Sequence, residues 1–273
     1  MGNPPGRWAL LASCPCFDEP LTGPGRIANG ERVGFLDILK PKSPVEKAAK
    51  QVREPYAQPD YRRGAMDKLF EIGSEEAYTA LLGRFTINAS GHIADEDEKR
   101  ELVERLIGAG AAVVKPLERF IASEKNIAFP VKALIGIVGR EQGLSFLLET
   151  LRAYEPLDHR STQAKTTLIG TIAELAGPAQ ASALAPYVGD HHDDVQMAAI
   201  EALERLASED TAGALLAACS EDAHAARVRR RAAQALAELG WPVREAFERF
   251  DAELKGEYQL GKKGELVRRA TGG

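Results

Sequence analysis

The sequence predicts an all-α protein, a right-handed α-solenoid of about six helical hairpins, on three observations. Candidate hinge residues Gly73, Gly110, Gly139, Gly177, Ser208 and Gly240 recur at a mean step of about 33 residues, the period of stacked helical hairpins. Between the hinges apolar residues fall three or four apart, as one buried helix face requires. Aromatic residues make up only 6% of the chain while alanine-dense stretches such as AAIEAL and RRAAQALAEL crowd its second half, which suits helices that pack closely on small side chains.

Taken in chain order, residues 1–32 carry Pro4, Pro5, Pro15, Pro20, Pro24 and several glycines that break every periodic pattern, and they read as a disordered leader. At Val33 the text changes to that of an ordinary cytoplasmic protein, and a GTG codon read as Met there would start the native chain at that residue. Intact mass of the product of the native gene decides between that start and Met1. Leu11-Ala12-Ser13-Cys14 has the form of a bacterial lipoprotein cleavage site, behind an apolar stretch shorter than a working secretory core. Residues 33–56 read as an apolar segment, Gly34–Lys40, that docks on its own chain, followed by a charged capping helix.

The solenoid proper is expected over residues 57–250. Its clearest unit sets Ala65, Leu69 and Ile72 on one helix, Gly73 at the turn, and Ala77, Leu81 and Phe85 on the returning helix. Leu102, Leu106, Gly110, Val114, Leu117 and Phe120 repeat the grammar, after a linker, TINASGHIADED, expected to project from one edge. It returns around Ala133, Ile137, Gly139, Leu147 and Leu151, and again around Leu168, Ile172, Leu175, Gly177, Leu184 and Tyr187. DDVQMAAIEALERLASEDTAGALLAAC and ARVRRRAAQALAELGWPVREAFERF are the fifth and sixth copies, with a helix through Arg244–Phe250 to Leu254 closing the rear. Residues 251–273, with three glycines before Leu266 and no helical stripe, read as a flexible tail.

The last two copies resemble HEAT repeats, specifically the short HEAT-like type of phycobilisome lyases. Asp194-Val195, Ala198-Ala199 and Ala202-Leu203, and then Arg227-Val228-Arg229, Ala232-Ala233, Ala235-Leu236 and Leu239-Gly240, stand where that pattern has its Asp, its Val-Arg pair, its small residues and its Ala-Leu-Gly ending. The resemblance implies an α-solenoid and says almost nothing of activity. The Val-Arg pair is Tyr61-Arg62 in the first copy and Val195-Gln196 in the fifth, and Pro130 sits near the start of the third, so the Asp–Arg contacts between neighbouring repeats are expected to be interrupted.

Charge and motifs narrow the function further. With 35 Lys and Arg against 40 Asp and Glu the net charge is −5, which disfavours nucleic acid and anionic lipid as partners. Three cysteines make no disulfide framework, which points to a reducing, cytoplasmic setting. Asp190-His191-His192-Asp193-Asp194 holds possible metal ligands, but it lies between hairpins, where Asp193 or Asp194 serves to cap the next helix. Arg227, Arg229, Arg230 and Arg231 form the notable basic run; Arg227, Arg230 and Arg231 are placed on one side of a helix, with Arg229 turned to an adjacent repeat and Glu221, Asp222 and Glu238 offsetting the charge. No catalytic, metal or cofactor site is assigned. The expected function is a non-catalytic scaffold that binds another protein on its second helices, through Arg84, Lys115, Arg119, Glu149 and Arg152. Its alternatives are a bilin lyase-like, chromophore-handling enzyme, implied by the repeat type, and a nucleic-acid-binding solenoid.

Overall fold

A computed structural model describes residues 43–156, 158, 161–220 and 224–270. The leader, the proposed start at Val33, the segment Gly34–Lys40, and Glu221 and Asp222 therefore lie outside the described residues.

The stack opens with α1 (Pro44–Val52), whose start is fixed by a reciprocal cap: Ser43 Oγ accepts from Glu46 N at 3.1 Å and the Glu46 carboxylate accepts from Ser43 N at 2.9 Å. Five hairpins follow. The first helices are α2 (Pro59–Ile72), α4 (His92–Ala109), α6 (Ala128–Val138), α8 (Thr162–Leu175) and α9 (Asp193–Leu206). Their returning limbs are α3 (Glu75–Leu82), α5 (Val114–Ser123), α7 (Arg140–Arg152), two 3-10 segments at Pro178–Ala183 and Ala185–Gly189, and α10 (Ala212–Ala218). Pro186 explains the break in the fourth limb, because it cannot donate the backbone hydrogen bond that a continuous α-helix would need there.

The hinges hold with two small displacements. Gly73, Gly110, Gly139 and Gly240 end their helices with φ of 60°, 63°, 81° and 66°, a region that costs an L side chain about 1 kcal/mol or more. The fourth and fifth helices end one residue earlier than the sequence suggests, at Ala176 and Ala207. Ala207 adopts φ 49° without being glycine, and it is exposed. Ala207→Gly is accordingly expected to stabilise the protein by about 1 kcal/mol, read as a rise in the thermal midpoint.

The sixth copy departs from the expected hairpin. α11 (Ala226–Leu239) is present, but Trp241-Pro242 leads into a 3-10 turn at Phe247–Arg249 and then a short α12 (Ala252–Glu257) instead of a continuous rear helix. The tail read as flexible is likewise ordered as far as residue 270: β1 (Tyr258–Leu260) pairs antiparallel with β2 (Leu266–Arg268) around a Gly261-Lys-Lys-Gly264 turn. Leu254, Tyr258 and Leu266 are buried, and Val243 N donates to Gly264 O at 2.8 Å. No helical stripe marks this segment because its apolar residues alternate on a hairpin. The linker ahead of α4 also shrinks, since α4 begins at His92 and half of the supposed projection is helix.

One core runs the length of the stack, from Ala48 and Val52 to Leu254 and Leu266. Four aromatic residues, Phe85, Phe120, Tyr154 and Tyr187, stand at corresponding ends of the returning limbs. Phe85 meets Phe120 edge-on at 6.5 Å, Tyr154 Oη donates to Ala122 O at 3.1 Å, and Tyr187 Oη donates to Leu151 O and Tyr154 O at 2.5 and 3.0 Å. Each thereby ties its copy to the one before. Between first helices the contact is closer: a Cβ on Gly136 would lie 2.5 Å from Ile107 Cδ1, so α6 approaches α4 through glycine.

Candidate protein-interaction face and the ion-pair ladder behind it

Counting eleven residues back from each first-helix C-cap gives Arg62, Lys99, Ala128, Lys165, Gln196 and Arg229. Five of these are long polar side chains turned inward. Arg62 is 2% exposed, donates to both Glu98 oxygens from the next copy, and also reaches the carbonyls of Glu54 and Ala57. Lys99 donates to Asp95 at 2.7 Å and Asn88 Oδ1 at 3.0 Å. Lys165, fully buried, is ion-paired with the equally buried Asp190 and donates to Pro156 O. Gln196 donates to the Asp190 carbonyl, and Arg229 is paired with Asp251, the N-cap of α12, while donating to His224 O. The expected interruption falls at the third copy. Its helix starts at Ala128, which has nothing to pair with.

Arg84 belongs to this interior, which corrects its assignment to the partner-binding face. It is 0% exposed and donates to Glu98 at 2.6 Å and Asp95 at 2.5 Å. It closes a buried Arg62–Glu98–Arg84–Asp95–Lys99 chain in which two carboxylates answer three cations. The 3-10 turn Gly83–Thr86 points its side chain inward, where helical continuation would have left it elsewhere. The other four predicted contacts, Lys115, Arg119, Glu149 and Arg152, are exposed on α5 and α7. Arg119 is paired with Glu75 and borders a groove of about 520 Å³ floored by Val45, Ala49, Thr79 and Ala80. Sequence reasoning had no reason to place α1 beside Arg119.

Asp95 and Glu98 both titrate below the usual carboxylate range. Burial alone would raise the Asp95 carboxyl, but hydrogen bonds from Lys99, the Ala89 N–H and Arg84 outweigh it and hold the pKa at about 2. Glu98 is also lowered, its burial being outweighed by Arg62 and Arg84. A carboxylate depressed in the folded state stabilises above its unfolded value, 3.8 for Asp95, and that stabilisation is lost as pH falls towards about 2. The thermal midpoint is therefore expected to drop between pH 4 and pH 2, and to drop less steeply in Asp95→Asn; an equal slope in the variant would remove Asp95 from the account.

The two polar clusters noted in the sequence are also structural. Asp190 is the buried hub, accepting from His192 N at 2.9 Å as well as from Lys165. The N-cap of α9 is His192, whose Nδ1 accepts from Asp194 N at 3.2 Å, so Asp193 and Asp194 occupy the first turn and do not themselves cap. Among the described residues no group of three or more His, Cys, Asp or Glu side chains is placed to hold a metal. In the basic run, Arg227 pairs with Asp193 and Asp194, Arg231 with Glu204, Arg229 with Asp251 and Arg230 with Glu253 and Glu257. Arg230 thus faces the C-terminal side with Arg229 and does not share the side of Arg227 and Arg231, because its carboxylates lie on α12. Cys219 is a buried core residue, its thiol pushed up by burial to about 12.

Stacked hairpins, inward polar rungs and left-handed hinges define an α-solenoid. The second half of the chain carries HEAT repeats: residues 144–237 match the family described as HEAT repeats and residues 228–250 the PBS lyase HEAT-like repeat. No curated protein matches it. A solved structure described as "Crescerin uses a TOG domain array to regulate microtubules in the primary cilium" is similar at 16% identity, covering 83% of this chain and 90% of that one, with a TM-score of 0.33. No helix among the described residues is long and apolar enough to cross a membrane.

Proposed function

We propose that this protein is a non-catalytic scaffold that binds another protein on the face presented by its returning helices. The observation that carries the reading is that α5 and α7 expose Lys115, Arg119, Glu149 and Arg152, charges of both signs, while the clustered ionisable groups of the interior are spent on joining copies. Alternating signs suit a protein surface better than a polyanion. A cytoplasmic setting goes with this reading on the cysteine usage, and a bacterial one on the GTG start read at Val33. The test compares wild-type protein with Lys115→Glu/Arg152→Glu as baits in extract of the source organism. A partner retained by the first and lost from the second, at unchanged thermal midpoint, is expected; identical retention overturns the assigned face.

The PBS lyase HEAT-like repeat over residues 228–250 favours a second reading, a chromophore-handling protein. It predicts a change in bilin absorbance on mixing, and its absence with several bilins retires that reading.

A further inference from the structure

The joint between the third and fourth copies is built unlike its neighbours. α6 has 11 residues where α2, α8, α9 and α11 each have 14, so the turn that precedes the rung in those helices is missing and the rung position is the first residue of α6. Ala128, at the rung position, is exposed, whereas Arg62, Lys99, Lys165 and Gln196 are buried. A cleft of about 210 Å³ opens there between α4, α6 and α8, lined by Phe85, Asn88, Lys99, Asn126, Phe129 and Gln163. Phe129 stacks on Phe85 at 5.8 Å, while Gln163 and Thr167 line the cleft from α8.

The two layers of the stack are joined very differently across this boundary. In the first-helix layer Gln163 Nε2 donates to Asn126 Oδ1 at 2.5 Å, a contact between two exposed carboxamides with water free to compete for both. In the returning-limb layer the buried Tyr187 hydroxyl donates to Leu151 O and Tyr154 O, where breaking a hydrogen bond would strand buried polar groups. At the following boundary, between the fourth and fifth copies, the first-helix layer is closed by the buried Lys165–Asp190 pair.

We infer that the boundary between the third and fourth copies is a hinge. It turns about the Tyr187 contacts and opens in the first-helix layer by release of the Asn126–Gln163 latch, separating α6 from α8 and widening the cleft. The inference is independent of the proposed scaffold role and of any partner's identity.

The test uses the full chain with Cys14→Ser and Cys16→Ser, adding Asn126→Cys and Gln163→Cys bridged by bismaleimidoethane. Cys219 is spared by its burial and raised thiol pKa. Hydrogen exchange read by mass spectrometry should show the hydrogen-bonded amides of the second turns of α6 and α8 exchanging at least about tenfold faster than the corresponding amides of α9 and α11 before bridging. After bridging they should slow by a similar factor while α9 and α11 are unchanged. Equal exchange in all four helices before bridging overturns the hinge, and so does a bridge that has no effect or slows every copy alike.

Discussion

Glu98→Ala is expected to cost about 3–5 kcal/mol of folding stability, measured as a fall in the urea midpoint followed by circular dichroism. Glu98 is 3% exposed and accepts hydrogen bonds from two guanidiniums, Arg62 at 2% and Arg84 at 0%. Removing it leaves both cations buried with only Asp95 and a few carbonyls to answer them. The penalty comes mainly from that uncompensated charge, since the intact pair has already offset most of its own desolvation. Glu98→Gln keeps the acceptor oxygen and is expected to lose less. A loss below about 1 kcal/mol for alanine would mean that water reaches the site and that the ladder is ornamental to stability.

Asp190→Ala is the second large effect, again about 3–5 kcal/mol, because Lys165 beneath it is fully buried and its remaining acceptors are carbonyls. The carboxylate also accepts from His192 N, so its loss loosens the start of α9 as well. The double variant Lys165→Met/Asp190→Asn should recover a large part of the loss by removing the stranded ammonium while keeping an acceptor for His192. If the double variant is as unstable as the single, neither the stranded ammonium nor the lost acceptor for His192 accounts for the defect. Both experiments have the same logic. They ask whether the rungs join copies by charge or whether the apolar core does so alone.

Much of this was written in the sequence. Gly73, Gly110, Gly139 and Gly240 were legible because a helix stop with positive φ selects glycine whatever surrounds it. Ser43 and Glu46 form a cap from residues three apart, and the apolar stripes follow the helical repeat; both are local rules. The missing third rung was also announced by Pro130. The returning limb of the sixth copy was misread, since its spacing looked helical while Pro242 and the hairpin 15 to 25 residues further on decide otherwise.

What the sequence by itself determined, then, is the repeat, its period, most of its hinges and the small-residue packing, all of which depend on neighbours within a few turns. What only the tertiary structure decided is the fate of the charged residues. Arg84 and Arg119 look alike in the text, yet one is enclosed by Glu98 and Asp95 and the other stands at the rim of a groove beside α1. The reason is physical: burial of a charge depends on a counter-charge brought up from another copy, as Glu98 is brought to Arg62 across 36 residues of chain. Helical periodicity carries no record of that distance.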